Sequence, residues 1–317
     1  MTEARFRVIS AGPHVSVQDA GRFGHMRFGV PASGPMDRTA HAIANTALAC
    51  PPEAAAIEIS LGGLVLECLS GALSVAVAGG GFIVDVGETR SGAWTVHTVR
   101  AGQRLAVRRG PWGSWAYLAF AGVLVAHNWL GHAATHSMSG LGGGRLLPGQ
   151  ELVVTNTRVV THEAVTIPCP VFARPLHRIR IVMGPQDHFF DAAAQTSLLY
   201  EPFSMTPAYD RMGVRLSGPP LSPVGALSIP SEPILRGSIQ VTGDGVATIL
   251  LADHQTTGGY PKIATIVSSE LDGLVQLRAR DQLRFIAIPP PEAVHRARHH
   301  AAKLRQYLAT LAAAPLG

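Results

Sequence analysis

The chain has 317 residues, a formal net charge of +5, and a composition that is 47% hydrophobic and 15% charged. That length exceeds an ordinary single core and predicts two domains, and the charged fraction, below the usual ~25%, suggests a surface partly covered by another polypeptide, with chance variation as the plain alternative. Four of the basic residues (Arg296, Arg298, Lys303 and Arg305) stand against Glu292 alone in segment 291–317, so the positive charge belongs to a tail. It is not a nucleic-acid-binding face, and no basic-aromatic interleaving appears.

Segment 5–9 reads as a first strand, followed by a long Gly/Pro/Ser-rich loop over 13–37. Asp37 is placed to cap a helix over Thr39 to Ala49, ended by Pro51-Pro52. From residue 56 short apolar strands alternate with glycine turns: Ala56–Leu61, Leu64–Leu69, Leu73–Ala78, Phe82–Val86, Arg104–Arg108 and Trp115–Ala121. One helix among so many strands predicts a β-barrel or sandwich and not βαβ units. A Pro-marked connector around 151–178 divides the chain into 1–172, 173–290 and a basic helix or tail over 291–317. The second half predicts a strand at Ile179–Met183, a short helix near Phe189–Leu199, then strands at Gly213–Leu216, Ser238–Val241, Ala247–Leu251, Ala264–Val267 and Gln282–Ile288. The G-V-x-x-S-G-P stretches at 29–35 and 213–219, each after a Gln-Asp pair, hint at an internal duplication.

Several classes are excluded. Cys50, Cys68 and Cys169 are far apart and fit reduced, buried thiols. The N-terminus MTEARFRVIS has no apolar leader, and the run Ala116 to Ala126 is too short to span a bilayer, so a cytoplasmic protein is expected. There is no P-loop, no dinucleotide fingerprint and no metalloprotease motif. His127, His132 and His136 match no known ligand spacing, so no metal is expected.

The densest polar cluster runs Ala252-Asp253-His254-Gln255-Thr256-Thr257-Gly258-Gly259-Tyr260-Pro261-Lys262, between two apolar runs. Gly258 and Gly259 permit close backbone approach and Lys262 adds a cation, so the loop can cradle a carboxylate or a phosphoryl group; the plain alternative is a solvated hairpin. Glu232, braced by prolines in Pro230-Ser231-Glu232-Pro233, suits a positioned base, and Arg236 a carboxylate clamp; a Glu232–Arg236 ion pair is the competing reading. Asp210 and Arg211 form a third cluster in which one side chain holds structure and the other faces the cleft; a purely structural turn salt bridge is the competing reading. The candidate catalytic residues are Lys262, Glu232 and Asp210. The candidate substrate contacts are Arg236, Gln255, Thr256, Thr257, Gly258, Gly259 and Arg211.

Taken in order, S-V-Q-D-A-G-R-F-G (16–24), A-I-E-I-S-L-G-G (56–63), G-P-Q-D (184–187), D-R-M-G-V-R-L-S-G-P (210–219), P-S-E-P-I-L-R-G-S-I-Q-V (230–241) and L-A-D-H-Q-T-T-G-G-Y-P-K-I-A-T (251–265) resemble the Kip A / 5-oxoprolinase C-component proteins. This biotin-dependent carboxyltransferase family also includes chains labelled allophanate hydrolase subunit 2. The resemblance implies a mainly β fold: two tandem cyclophilin-like β-barrel domains with a few short helices and a C-terminal helix. It further implies one component of a hydrolase that is active only in complex, opening 5-oxoproline to glutamate with ATP. The implied partners are a Kip I-type protein (the 5-oxoprolinase B component) and a lactam-utilisation protein (the A component). A carboxyltransferase component served by carboxybiotin, and a non-catalytic regulator that binds a Kip I-type kinase inhibitor, are the alternatives. The first half departs from the family pattern at Gly79-Gly80-Gly81 and over 127–140.

Overall fold

The computed structural model describes residues 2–224 and 228–314 and is mainly β, with two compact units. Unit 1 comprises residues 2–22, 33–174 and 304–314; unit 2 comprises 23–32 and 175–303.

Unit 1 holds a seven-stranded and a six-stranded sheet. The six-stranded sheet centres on Trp115–Phe120, flanked by Ala72–Ala78 and Ala56–Ser60. Side chains alternate across a strand, and here the alternation is one of size. Leu73, Val75, Val77, Leu118 and Phe120 enter the main core with Phe6, Leu66, Val84 and Val107 of the other sheet. On the opposite face, Ala76, Ala78, Ala119 and Ala121 are small enough to admit helix α1 (Arg38–Thr46), which contributes Ala40, Ile43 and Ala44. Both faces of the sheet are therefore buried. Asp37 caps α1, its Oδ1 accepting from the Ala40 backbone N–H at 2.8 Å.

The helix N-terminus is tied to the sheet by a buried polar knot. Tyr117 donates its hydroxyl to Glu58 Oε2 (2.7 Å) and accepts from the Asp37 N–H (2.8 Å), while Glu58 also accepts from the Met36 N–H (2.8 Å). His41, buried beside the Tyr117 ring, is pushed down to about 4 by desolvation and is neutral.

Unit 2 is a closed seven-stranded barrel. Its strands run in the order Arg178–Met183, Lys262–Ile266, Ser238–Val241, Ala247–Leu250, Gly213–Ser217, Phe203–Tyr209 and Gln282–Ala287. A parallel pairing of Gln282–Ala287 with Arg178–Met183 closes the ring. Helix α2 (Ala192–Tyr200), capped by Asp191, packs against Gln282–Ala287, and a short α3 (Leu271–Val275) follows the strand Lys262–Ile266. Helix α4 spans Pro290–Ala313. Its last part belongs to unit 1, where Tyr307 donates to the Pro168 carbonyl and packs with Leu308 and Leu311 against the α1 side of the sheet.

The two G-V-x-x-S-G-P stretches do not share a structure: Gly213–Ser217 is a strand, whereas 29–35 is irregular, with left-handed backbone at Gly29 (φ 77°) and Ser33 (φ 54°). A better echo lies in strand register. Glu58 is the cross-strand partner of Tyr117 in unit 1, and Gln240 that of Lys262 in unit 2, so each unit places a polar pair at a buried crossing point.

The small face is testable. Ala119→Leu overfills the α1 contact and should cost about 1–3 kcal/mol, read as a lowered denaturant midpoint with unchanged slope.

Candidate functional site

The polar residues of unit 2 converge where three segments meet the start of the strand Lys262–Ile266. Lys262 opens that strand and is not part of the preceding loop, and it is only 3% exposed. A buried ammonium needs a counter-charge, and Glu232 supplies it through an ion pair from Nζ to Oε1. The pair that forms is thus Glu232–Lys262, and not the Glu232–Arg236 pair of the competing reading. The Glu232 side chain is 38% exposed, so it is the end of the pair open to solvent.

Gln186 locks both partners. Its Nε2 donates to Glu232 Oε1 at 2.5 Å, its Oε1 accepts from the Lys262 backbone N–H at 3.2 Å, and its own backbone N–H donates to the Lys262 carbonyl at 3.2 Å. The Lys262 ammonium, aided by the Gln186 amide, holds the Glu232 carboxyl below the usual carboxylate range against an opposing push from desolvation. Such a carboxylate is held in its anionic form.

A two-stranded ribbon pairs Glu232–Pro233 with Thr257–Gly258 and brings the glycine-rich segment to this pair. The Thr256 carbonyl accepts from the Ile234 N–H (3.2 Å) and the Gly259 carbonyl from the Ile229 N–H (2.8 Å). Gly258 lets the Gln240 amide approach closely: a Cβ there would stand 2.7 Å from Gln240 Nε2 and push that side chain aside. Gln255 Nε2 donates to Gln240 Oε1 (3.4 Å), and the Gln240 amide in turn donates to the Tyr260 carbonyl (3.4 Å). Arg236 is half-buried, and its charge joins the larger effect of burial in lowering the pKa of His254.

The structure therefore brings together Lys262, Glu232, Gln255, Gly258 and Gly259, with Thr256 and Thr257 in the ribbon. It gives Asp210 and Arg211 other work. Asp210 Oδ1 accepts from the Met212 N–H (2.8 Å) and the Gly213 N–H (3.2 Å), closing a tight turn. Arg211 is 2% exposed and grips Asp253 with two hydrogen bonds of 2.9 and 3.0 Å. Arg211 is thus buried in an ion pair, while Asp210 holds its own turn and remains exposed. Gln186 and Gln240 were missed as site residues; the only sequence signals were the G-P-Q-D and S-I-Q-V stretches, which say nothing of the contact. Among the described residues no cluster of His, Cys, Asp and Glu could hold a metal ion, and no helix is long and apolar enough to cross a membrane.

A family model described as "Carboxyltransferase domain, subdomain A and B" matches residues 28–287. The chain belongs to this carboxyltransferase domain family. Among its relatives, the C component of 5-oxoprolinase from Escherichia coli K12 is 33% identical over 292 residues, covering 91% of this chain and 93% of that one. Among solved structures, TTHA0988 matches with a TM-score of 0.80 at 30% identity, covering 89% of this chain; the chain spans 55% of that protein's length. The urea carboxylase of Kluyveromyces lactis matches with a TM-score of 0.86 over 97% of this chain and 29% of its own, at 24% identity, and shares the fold of this carboxyltransferase domain.

Two measurements probe the site. Asp253→Ala removes the carboxylate that grips the buried Arg211 guanidinium and should cost about 3–5 kcal/mol of stability, read by chemical denaturation. Glu232 has a folded pKa below its unfolded value of ~4.3. Its contribution to stability is therefore complete above that value and is lost as pH falls through the lower folded value. Glu232→Gln should remove that component from the acid limb of the stability–pH curve and leave the neutral limb parallel to wild type.

Proposed function

We propose that this chain is the C component of a heteromeric, ATP-dependent 5-oxoprolinase that opens 5-oxoproline to glutamate together with a Kip I-type protein and a lactam-utilisation protein. The observation that carries this reading is the Lys262–Glu232–Gln186 cluster beneath the Gly258–Gly259 ribbon, in a chain aligned over nearly its full length with the corresponding 5-oxoprolinase component of Escherichia coli.

The chemistry fits the substrate class. A lactam presents an N–H donor beside a carbonyl acceptor, and 5-oxoproline adds a carboxylate. Glu232, held anionic, can accept the lactam N–H. Lys262, held at the same point, can meet the carbonyl or carboxylate oxygen as charge builds there. Gln186 keeps both in place while the pair exchanges its internal contact for the ligand, and the Gly258–Gly259 backbone lets a small substrate approach closely. In the net reaction the lactam C–N bond breaks, water adds to the carbonyl carbon and the nitrogen takes a proton. ATP hydrolysis in the assembled complex drives the step. Arg236 and Gln255 are assigned to orienting the substrate.

The family's carboxyltransferase description supports a second reading, in which a carboxyl group moves from carboxybiotin to an amide nitrogen at the same bipolar pair. The two are told apart by substrate. The complex reconstituted with its partner proteins should release glutamate from 5-oxoproline only when ATP is present. Lys262→Ala should lower that turnover by about 100-fold or more while co-purification of the partners is unchanged. Carboxybiotin-dependent transfer without glutamate release favours the second reading, and normal turnover in Lys262→Ala discards the role of the pair.

A further inference from the structure

Unit 1 contains a cavity of about 470 Å³ that the unit 2 site does not explain. Its size lies within the range of small-molecule pockets. Phe82, Trp94, Trp112 and Ile167 form apolar walls, and Gly81 lies beside Trp112. Trp94 is fixed by a hydrogen bond from its Nε1 to the Gly80 carbonyl at 2.9 Å. Gly81 is held to glycine because a Cβ would stand 2.3 Å from Trp112 Nε1.

Among the described residues, the charged groups at this pocket are all of one sign. Arg90 and Arg174 line it, and no aspartate or glutamate does. Arg90 is largely satisfied by Asp85 at 2.8 Å. Arg174 lies over the Trp112 ring, its Cζ 5.0 Å from the centroid, and meets the neutral Cys169 thiol but no carboxylate of the pocket, so its charge is presented at the edge of an aromatic wall. Cys169 lines the same pocket. Burial pushes its thiol pKa up, so it stays a neutral, weakly polar wall atom.

From this combination we propose that the unit 1 cavity is a second small-molecule site, one that takes a carboxylate with a flat apolar body. The body lies between Trp94 and Trp112, and the carboxylate meets the Arg174 guanidinium. A cation presented beside an aromatic wall is a recurrent way of holding such a group, because the guanidinium stacks and donates at once. A neutral ligand of the same shape gains only the stacking.

The test uses the full-length chain and two probes of equal shape, 4-phenylbutyrate and 4-phenylbutyramide. The acid should quench tryptophan fluorescence saturably at sub-millimolar to millimolar concentration and slow the alkylation of Cys169 by N-ethylmaleimide, located by peptide mass spectrometry, without changing Cys50 or Cys68. The amide should bind at least ~10-fold more weakly. Arg174→Gln should weaken the acid by a similar factor and leave the amide unchanged, which a global folding defect would not do. Absence of saturable binding, unprotected Cys169, or equal affinity of acid and amide in wild type each overturns the proposal.

Discussion

An ammonium on a residue only 3% exposed cannot stand alone, and the architecture of unit 2 follows from satisfying Lys262. Its counter-charge comes from a segment thirty residues upstream, on a short ribbon whose partner strand is the glycine-rich hairpin leading into Lys262 itself. The ion pair, the ribbon and the Gln186 bridge therefore form one closed loop of contacts. Removing any member exposes a charge or a polar group whose desolvation has already occurred. This coupling suits a recognition site, since a ligand bearing both a donor and an acceptor can replace the internal contact without leaving either charge unpaired.

The contrast with Arg211–Asp253 is instructive. That pair is buried at both ends, with side chains 2% and 0% exposed, and two hydrogen bonds join guanidinium to carboxylate. In the Lys262–Glu232 pair one end reaches solvent. The same chemistry thus serves structure in one place and access in the other, and exposure of a single carboxylate makes the difference.

Much of the fold was legible in the chain. The N-cap at Asp37, the Ala-rich helix after it, the strand at 179–183, and the helix after Pro289 all follow from local patterning. The strand Thr95–Arg100 was hidden because threonine, histidine and arginine interrupt its valines, although five of its six residues are buried. The site was half legible. Gly258, Gly259 and Lys262 stood out because a polar turn rarely combines two glycines, two threonines, a glutamine and a lysine so tightly. Asp210 and Arg211 stood out equally, yet sequence cannot show that Asp253 lies opposite Arg211 or that Asp210 folds back on its own turn. Gln186 was invisible as a site residue because its role depends on a contact across 46 positions.

The parallel seam that closes the unit 2 barrel has one more consequence. Its first and last strands lie side by side, with Arg178 opposite Arg284 and Ile181 opposite Ala287. The points where the polypeptide enters and leaves the barrel are thus one strand spacing apart laterally, about 5 Å, and a few residues apart lengthwise, roughly 10 Å. A module with neighbouring ends can be spliced into a surface loop of an unrelated host, or have its ends fused and a new break opened elsewhere, without stretching the host. The barrel is in that sense a portable cassette.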